Sequence, residues 1–187
     1  MRKVKVIAFV GNIGAGKTTA AKRLMYYGYD RLRLADPLKR MLTHGLGIGT
    51  EYIDGNKKGD PCEELCGRTA RHAMITLGTE WGRNLIHPNL WVTLLQKELE
   101  FRIAADKNKF VIDDVRFLNE SCWVKGLDII GVDAKLVRIT RISDLEKIQH
   151  QSETEMDGIQ EDWLVSNNST LESFHRSIDE MLIMMKG

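Results

Sequence analysis

Apolar residues along the chain fall into short runs separated by longer amphipathic stretches. Residues 4–10, VKVIAFV, are almost wholly apolar and rich in β-branched types, the pattern of a strand buried on both faces of a parallel sheet. Residues 18–27 read as a helix, and in residues 29–35 Leu32 and Leu34 alternate with arginines as a second short strand. Asp36-Pro37 opens another helix, with Asp36 as N-cap, Pro37 at the first helical position, and an apolar face of Leu38, Met41 and Leu42. Residues 45–61, GLGIGTEYIDGNKKGDP, read as a mobile glycine-rich loop. Residues 68–77 are helical and Gly78 ends them. Residues 89–105 form a longer helix with Trp91, Leu95, Leu99 and Ile103 at i+4 spacing and a Glu98–Arg102 pair. Residues 109–113, 135–140 and 163–166 are three further strands. Ser169-Thr170-Leu171-Glu172 reads as a capping box opening a last helix, with Leu171, Phe174, Ile178, Leu182 and Met185 inward. Residues 142–160 are polar, lack a strong apolar period, and read as a second mobile segment. Short strands alternating with helices predict an α/β fold, a five-stranded parallel core sheet covered on both faces.

Composition narrows the class. A chain of 187 residues fits one domain with mobile lobes. Apolar residues at 43% and charged residues at 28% are an ordinary globular balance, and a formal net charge of +1 favours neither a nucleic-acid nor a membrane surface. Three cysteines, Cys62, Cys66 and Cys122, are too few for a disulfide framework, and Cys62, Cys66 and His72 lack the second ligand pair of a usual zinc site. No apolar stretch reaches the roughly 20 residues that span a bilayer. The basic then apolar start, MRKVKVIAFV, runs into Gly-Lys-Thr-Thr rather than a cleavage site, so it reads as a first strand of a cytoplasmic protein.

The chemistry is concentrated after that strand. GNIGAGKT, comprising Gly11, Asn12, Ile13, Gly14, Ala15, Gly16, Lys17 and Thr18, matches G-x-x-x-x-G-K-[ST] in full, with a strand before it and a helix after. Backbone N–H groups converge on phosphate oxygens only where side chains do not block them, which calls for glycine. The helix start adds its positive dipole end. Lys17 can bridge β- and γ-phosphates and the Thr18 hydroxyl can bind Mg²⁺. A carboxylate at the end of a nearby strand is then needed, and KFVIDDVRF offers Asp113 and Asp114. Spacing leaves open which of the two serves metal. The guanine-reading N-K-x-D pattern is missing, since Asn56-Lys57-Lys58 is followed by Gly59. A small phosphotransferase fits the length best. It needs fixed guanidinium forks for anionic substrates, and Arg83, Arg116, Arg138 and Arg141 are the candidates.

LADPLKRML (34–42), LGTEWGRNLIHPNLWV (77–92), VIDDVRFLNE (111–120) and HQSET followed by VSNNSTLESF carry a resemblance to the deoxynucleoside monophosphate kinases of bacteriophages, in the same order over nearly the whole chain. That resemblance implies a P-loop nucleoside-monophosphate-kinase-like three-layer α/β/α core with an acceptor-binding insertion at about 37–88 and a lid at about 142–160. It implies transfer of the ATP γ-phosphate to a deoxynucleoside monophosphate, with ATP and Mg²⁺ required. It places Gly11, Asn12, Gly14, Ala15, Gly16, Lys17, Thr18 and Thr19 on the ATP phosphates, and Arg138 and Asn167 with the donor nucleotide. Asp36, Lys39, Arg83, Trp81 and Trp91 would hold the acceptor, and Asp113, Asp114 and Arg116 would meet the acceptor or transferring phosphate. Arg141 would act from the lid, and His150 and Glu153 of the H-x-S-E string would hydrogen-bond substrate. No nucleic acid or membrane partner is implied, and a homodimer is kept as an expectation. Another small-metabolite kinase and a non-catalytic nucleotide switch remain the alternatives.

Overall fold

In the computed structural model, residues 3–141, 156 and 158–185 are described. The chain divides into two compact units, Met1–Arg33 with Glu98–Gly187, and Leu34–Lys97, and the insertion expected at 37–88 falls inside the second. Strands in chain order are β1 (Lys5–Val10), β2 (Asp30–Leu32), β3 (Lys109–Val115), β4 (Asp133–Thr140) and β5 (Trp163–Ser166). Helices are α1 (Lys17–Tyr26), α2 (Asp36–Arg40), α3 (Thr50–Ile53), α4 (Ala70–Ile75), α5 (Leu90–Ala104), α6 (Leu118–Gly126) and α7 (Leu171–Met184).

The first unit holds all five strands in the order β2-β3-β1-β4-β5, and every pairing is parallel. Ile7, Phe9, Val111, Val137, Ile139 and Val165 pack against Ala20, Ala21 and Leu24 of α1 and Phe174, Ile178, Met181 and Leu182 of α7. The alternate positions Val6, Ala8, Val10, Phe110, Ile112 and Leu136 are buried too. Central parallel strands must shed water on both faces, which explains their unbroken apolar runs. Edge strand β2 has three residues, and the Arg31 carbonyl accepts a hydrogen bond from Arg102 Nη1 (3.2 Å), whose Nε also bonds Glu98 (2.8 Å). Arg102, paired with Glu98 as its spacing predicts, therefore also braces the sheet edge.

Two boundaries in this unit differ from the sequence reading. Strand β3 continues two residues beyond 113, so both acids lie within it. The N-cap of α7 is Thr170, whose hydroxyl accepts from Ser173 N (3.2 Å), one residue later than the expected box. Leu171 becomes the first helical residue and is exposed, whereas Phe174, Ile178 and Leu182 are buried as expected.

The second unit builds a small core from Leu42, Ile48, Ile53, Cys62 and Ala70. Residues 45–61 are therefore not a bare loop, because Ile48 and Ile53 anchor them and α3 lies among them. Ala35, not Asp36, occupies the N-cap of α2, with Asp36 one position inside. The helix read as ending at Gly78 instead continues from α4 as a π-helical segment, Thr76–Ile86. Contact with Trp91 explains Gly82 of that segment. The buried Trp91 indole N–H donates to the Gly78 carbonyl (2.7 Å), and a Cβ at Gly82 would lie 2.3 Å from Trp91 Cζ2. Among the described residues no helix is long and apolar enough to cross a membrane.

Candidate active site

The turn between β1 and α1 has the geometry its composition calls for. Gly11 (φ +148) and Gly16 (φ +112) occupy backbone conformations that disfavour a side chain, and neither site has room for one. A Cβ on Gly11 would sit 2.3 Å from the Ile139 carbonyl oxygen, and one on Gly16 would sit 2.6 Å from Asn167 Nδ2. Helix α1 begins at Lys17 without a side-chain cap, and a helix start of this kind suits an anion. Lys17 Nζ donates to the carbonyls of Gly11 and of Asn12 (2.9 Å for the latter), which holds the ammonium over the loop. Thr19 follows in the first turn of α1, half-buried.

Parallel register brings the metal-type ligands together. Arg31 on β2 pairs with Val111 on β3, and Asp113 lies two residues further along the same face of that strand. The Asp113 side chain is 2% exposed. Its carboxylate accepts from Thr18 Oγ1 (3.0 Å), Arg31 Nε (2.9 Å) and Arg31 Nη2 (2.5 Å). Asp114, where the β1–β3 register shifts by one residue, is half-buried. Of the two neighbouring acids, Asp113 is the one in contact with Thr18.

This donor set suits Mg²⁺. Thr18 and Asp113 offer hard oxygen ligands, and the proton of Thr18 is already given to Asp113, which leaves its oxygen lone pairs outward. Among the described residues no cluster of three or more His, Cys, Asp or Glu side chains could cage an ion. Mg²⁺ is ordinarily held by one or two carboxylates together with substrate phosphates, so a small protein donor set is enough.

Arg116 follows β3, half-buried. Its backbone N–H and that of Phe117 donate to the buried carboxylate of Glu120 (2.7 and 3.1 Å). Glu120 thereby fixes the direction of the chain at Arg116. The sequence signal for it was the spacing in RFLNE, an acid three residues past the residue preceding the helix. The Arg116 guanidinium has no hydrogen-bond partner among the described residues. Arg141 stands exposed just after β4.

Several expected residues have other duties. Arg138, expected beside the donor nucleotide, gives Nε to Glu161 (2.9 Å) and Nη2 to the carbonyls of Met156 (3.0 Å) and Ile159 (2.5 Å). That bond holds the Glu161 carboxyl below the usual carboxylate range. Arg138 thus fastens the chain that leads into β5. Asn167, expected near the adenine, donates from Nδ2 to the Ala15 carbonyl (2.8 Å) and so braces the phosphate loop from behind.

In the second unit Lys39 Nζ pairs with Asp54 (2.6 Å), Asp36 is half-buried in the first turn of α2, and Arg83 is buried with Nη1 on the Pro88 carbonyl (3.3 Å). Trp91 is 4% exposed and engaged with Gly78, so its ring is core rather than a face for a base. Trp81 is 37% exposed and walls a pocket of about 350 Å³ together with Leu65, Leu77, Arg68 and His72. The Cys62 thiol is buried and donates to Glu64 (2.8 Å), a bond that pushes its pKa up and leaves it a structural group. His150, Glu153 and most of the expected lid lie outside the described residues.

The brace from Asn167 yields a direct prediction. Asn167→Asp sets a carboxylate oxygen against the Ala15 carbonyl. Nucleotide affinity, followed by fluorescence titration with a labelled ATP analogue, should fall by about tenfold, the cost of one unsatisfied buried acceptor. Unchanged affinity would remove Asn167 from the loop's support.

Comparison with known proteins agrees with this geometry. Among solved structures, TT1252 from Thermus thermophilus aligns over 100% of both chains with TM-score 0.54 and 16% identity. Dephospho-CoA kinase from Campylobacter jejuni aligns over 98% of this chain and 99% of its own, with TM-score 0.51 and 14% identity. At such identities the likeness shows a shared fold, that of P-loop kinases. The deoxynucleoside-5'-monophosphate kinase of Escherichia phage T5 is 32% identical over 69 residues, 37% of this chain and 26% of that protein. The model of the family described as deoxynucleotide monophosphate kinase matches residues 63–178, which include the TEWGR string, β3 with its two acids, and the Asn167 brace. A phosphate loop joined to that length of family pattern makes the chain a member of the deoxynucleotide monophosphate kinase family.

Proposed function

We propose that the protein transfers the γ-phosphoryl group of ATP to a deoxynucleoside monophosphate, giving the diphosphate and ADP. The observation that carries the reading is the contact of Thr18 with buried Asp113 at the foot of a glycine loop that also holds Lys17. Membership of the family supports a nucleoside monophosphate as acceptor.

An oxygen of the acceptor phosphate is already nucleophilic at neutral pH, so the transfer needs no strong general base. In a direct in-line reaction its bond to the γ-phosphorus forms as the bond from that phosphorus to the β,γ-bridging oxygen breaks, and ADP leaves. Catalysis is then positioning and charge stabilisation. The loop amides and Lys17 hold the donor phosphates. Thr18 and Asp113 would hold Mg²⁺, which supplies charge neutralisation for the polyphosphate. Arg116, with its guanidinium uncommitted among the described residues, and Asp114 are assigned to the acceptor phosphate. Arg141 is assigned to the transferring group. The open pocket walled by Trp81, with Arg68 and His72 in its lining, is assigned to a nucleobase. Trp81, rather than Trp91, is the stacking surface in this reading.

Two variants test it. Lys17→Ala should remove most transfer activity, on the order of a hundredfold or more, while the far-ultraviolet dichroism stays that of the native fold. Unchanged turnover would break the mechanism. Arg116→Lys keeps the charge but loses the fork, and its rate with saturating deoxynucleoside monophosphate should drop at least tenfold. A rate equal to wild type would take Arg116 out of the site.

A further inference from the structure

We infer that Arg31 is a positioning residue for the metal side of the donor site, acting through Asp113. The inference rests on the proposed function, because it concerns how that site accepts a metal–nucleotide complex.

A single-bonded carboxylate can rotate about its terminal torsion, and its lone pairs sweep with it. Asp113 is denied that freedom. Two nitrogens of one guanidinium grip both of its oxygens, Nε on Oδ1 at 2.9 Å and Nη2 on Oδ2 at 2.5 Å. A planar fork on a planar carboxylate fixes both distance and plane, which a single ammonium does not. Thr18 Oγ1 then donates to Oδ2 (3.0 Å), so the hydroxyl proton is directed toward Asp113 and the hydroxyl oxygen is left with its lone pairs for an ion. Arg31 is itself held. Register on β3 places it beside Val111, and its carbonyl is tied to Arg102, which is tied to Glu98. The order of support therefore runs from a helix through an edge strand to the carboxylate and on to the loop threonine. Residues that orient a metal's ligands commonly matter to affinity about as much as the ligands' own immediate surroundings, with losses of roughly 10–100-fold on substitution.

The test is calorimetric binding of a β,γ-imido analogue of ATP, which is not hydrolysed, in excess EDTA and again in excess Mg²⁺. The readout is the tightening produced by Mg²⁺. Arg31→Lys, which retains the charge and discards the fork, should bind the analogue in EDTA within about twofold of wild type while losing about tenfold or more of the tightening. Asp113→Asn should lose the tightening as well, and Arg31→Lys combined with Asp113→Asn should lose no more than Asp113→Asn alone. Arg31→Gln should also lose it. Full tightening in Arg31→Lys would overturn the inference, as would equal losses in EDTA and Mg²⁺. A larger tightening in Arg31→Gln than in wild type would show that charge alone is at work and would overturn it too. Failure of the wild-type protein to bind the analogue in either condition would instead strike the proposed function first and the inference with it.

Discussion

Everything at the candidate site depends on satisfying the oxygens of one buried carboxylate, Asp113. Asp113 is taken out of water inside a sheet strand, and an unpaired charge there would cost several kcal/mol. Two groups meet that cost together, a guanidinium fork from the edge strand and a hydroxyl from the phosphate loop. Because the hydroxyl belongs to Thr18, the bond that stabilises the carboxylate also orients the oxygen proposed as a metal ligand. Burial of the carboxylate and the geometry of the proposed metal site involve the same three side chains.

The loop is supported in the same economical way. Gly11 has no room for a side chain because the Ile139 carbonyl stands behind it, and Gly16 has none because Asn167 and Phe174 do. The Asn167 amide then bonds Ala15, so the residue after β5 helps define a loop that follows β1. Arg138 performs a related service one step earlier, binding Glu161 and two carbonyls and so fixing the approach to β5. Groups that sequence proximity would never associate thus converge on the carboxyl ends of the strands, where open parallel sheets bind ligands.

Legibility in the sequence followed how local each constraint is. The phosphate loop was readable outright, since its amides, Lys17 and Thr18 must be contiguous to do their work. The strands were readable because parallel sheets demand uninterrupted apolar runs. Choosing Asp113 over Asp114 as the partner of Thr18 required strand register, a property of pairing with β1 and β2 rather than of spacing. Arg31 escaped notice because Arg31 and Arg33 fit the alternation of a strand equally well, and only the neighbouring strand distinguishes them. Gly78 was misread as a helix stop because its carbonyl serves an indole thirteen residues away, a tertiary contact that overrides the local signal. Trp81 and Trp91 look alike in sequence, and burial alone separates them.

The central claim is that this assembly passes a phosphoryl group between two nucleotides. Phosphorus NMR of the wild-type protein with ATP, Mg²⁺ and a deoxynucleoside monophosphate tests it most directly, because both products are seen at once. The account predicts that ADP and the deoxynucleoside diphosphate rise together in equal amounts, with no free phosphate and no reaction when the acceptor is left out. Release of inorganic phosphate in place of the diphosphate, or an unchanged spectrum with every deoxynucleoside monophosphate offered, would contradict it.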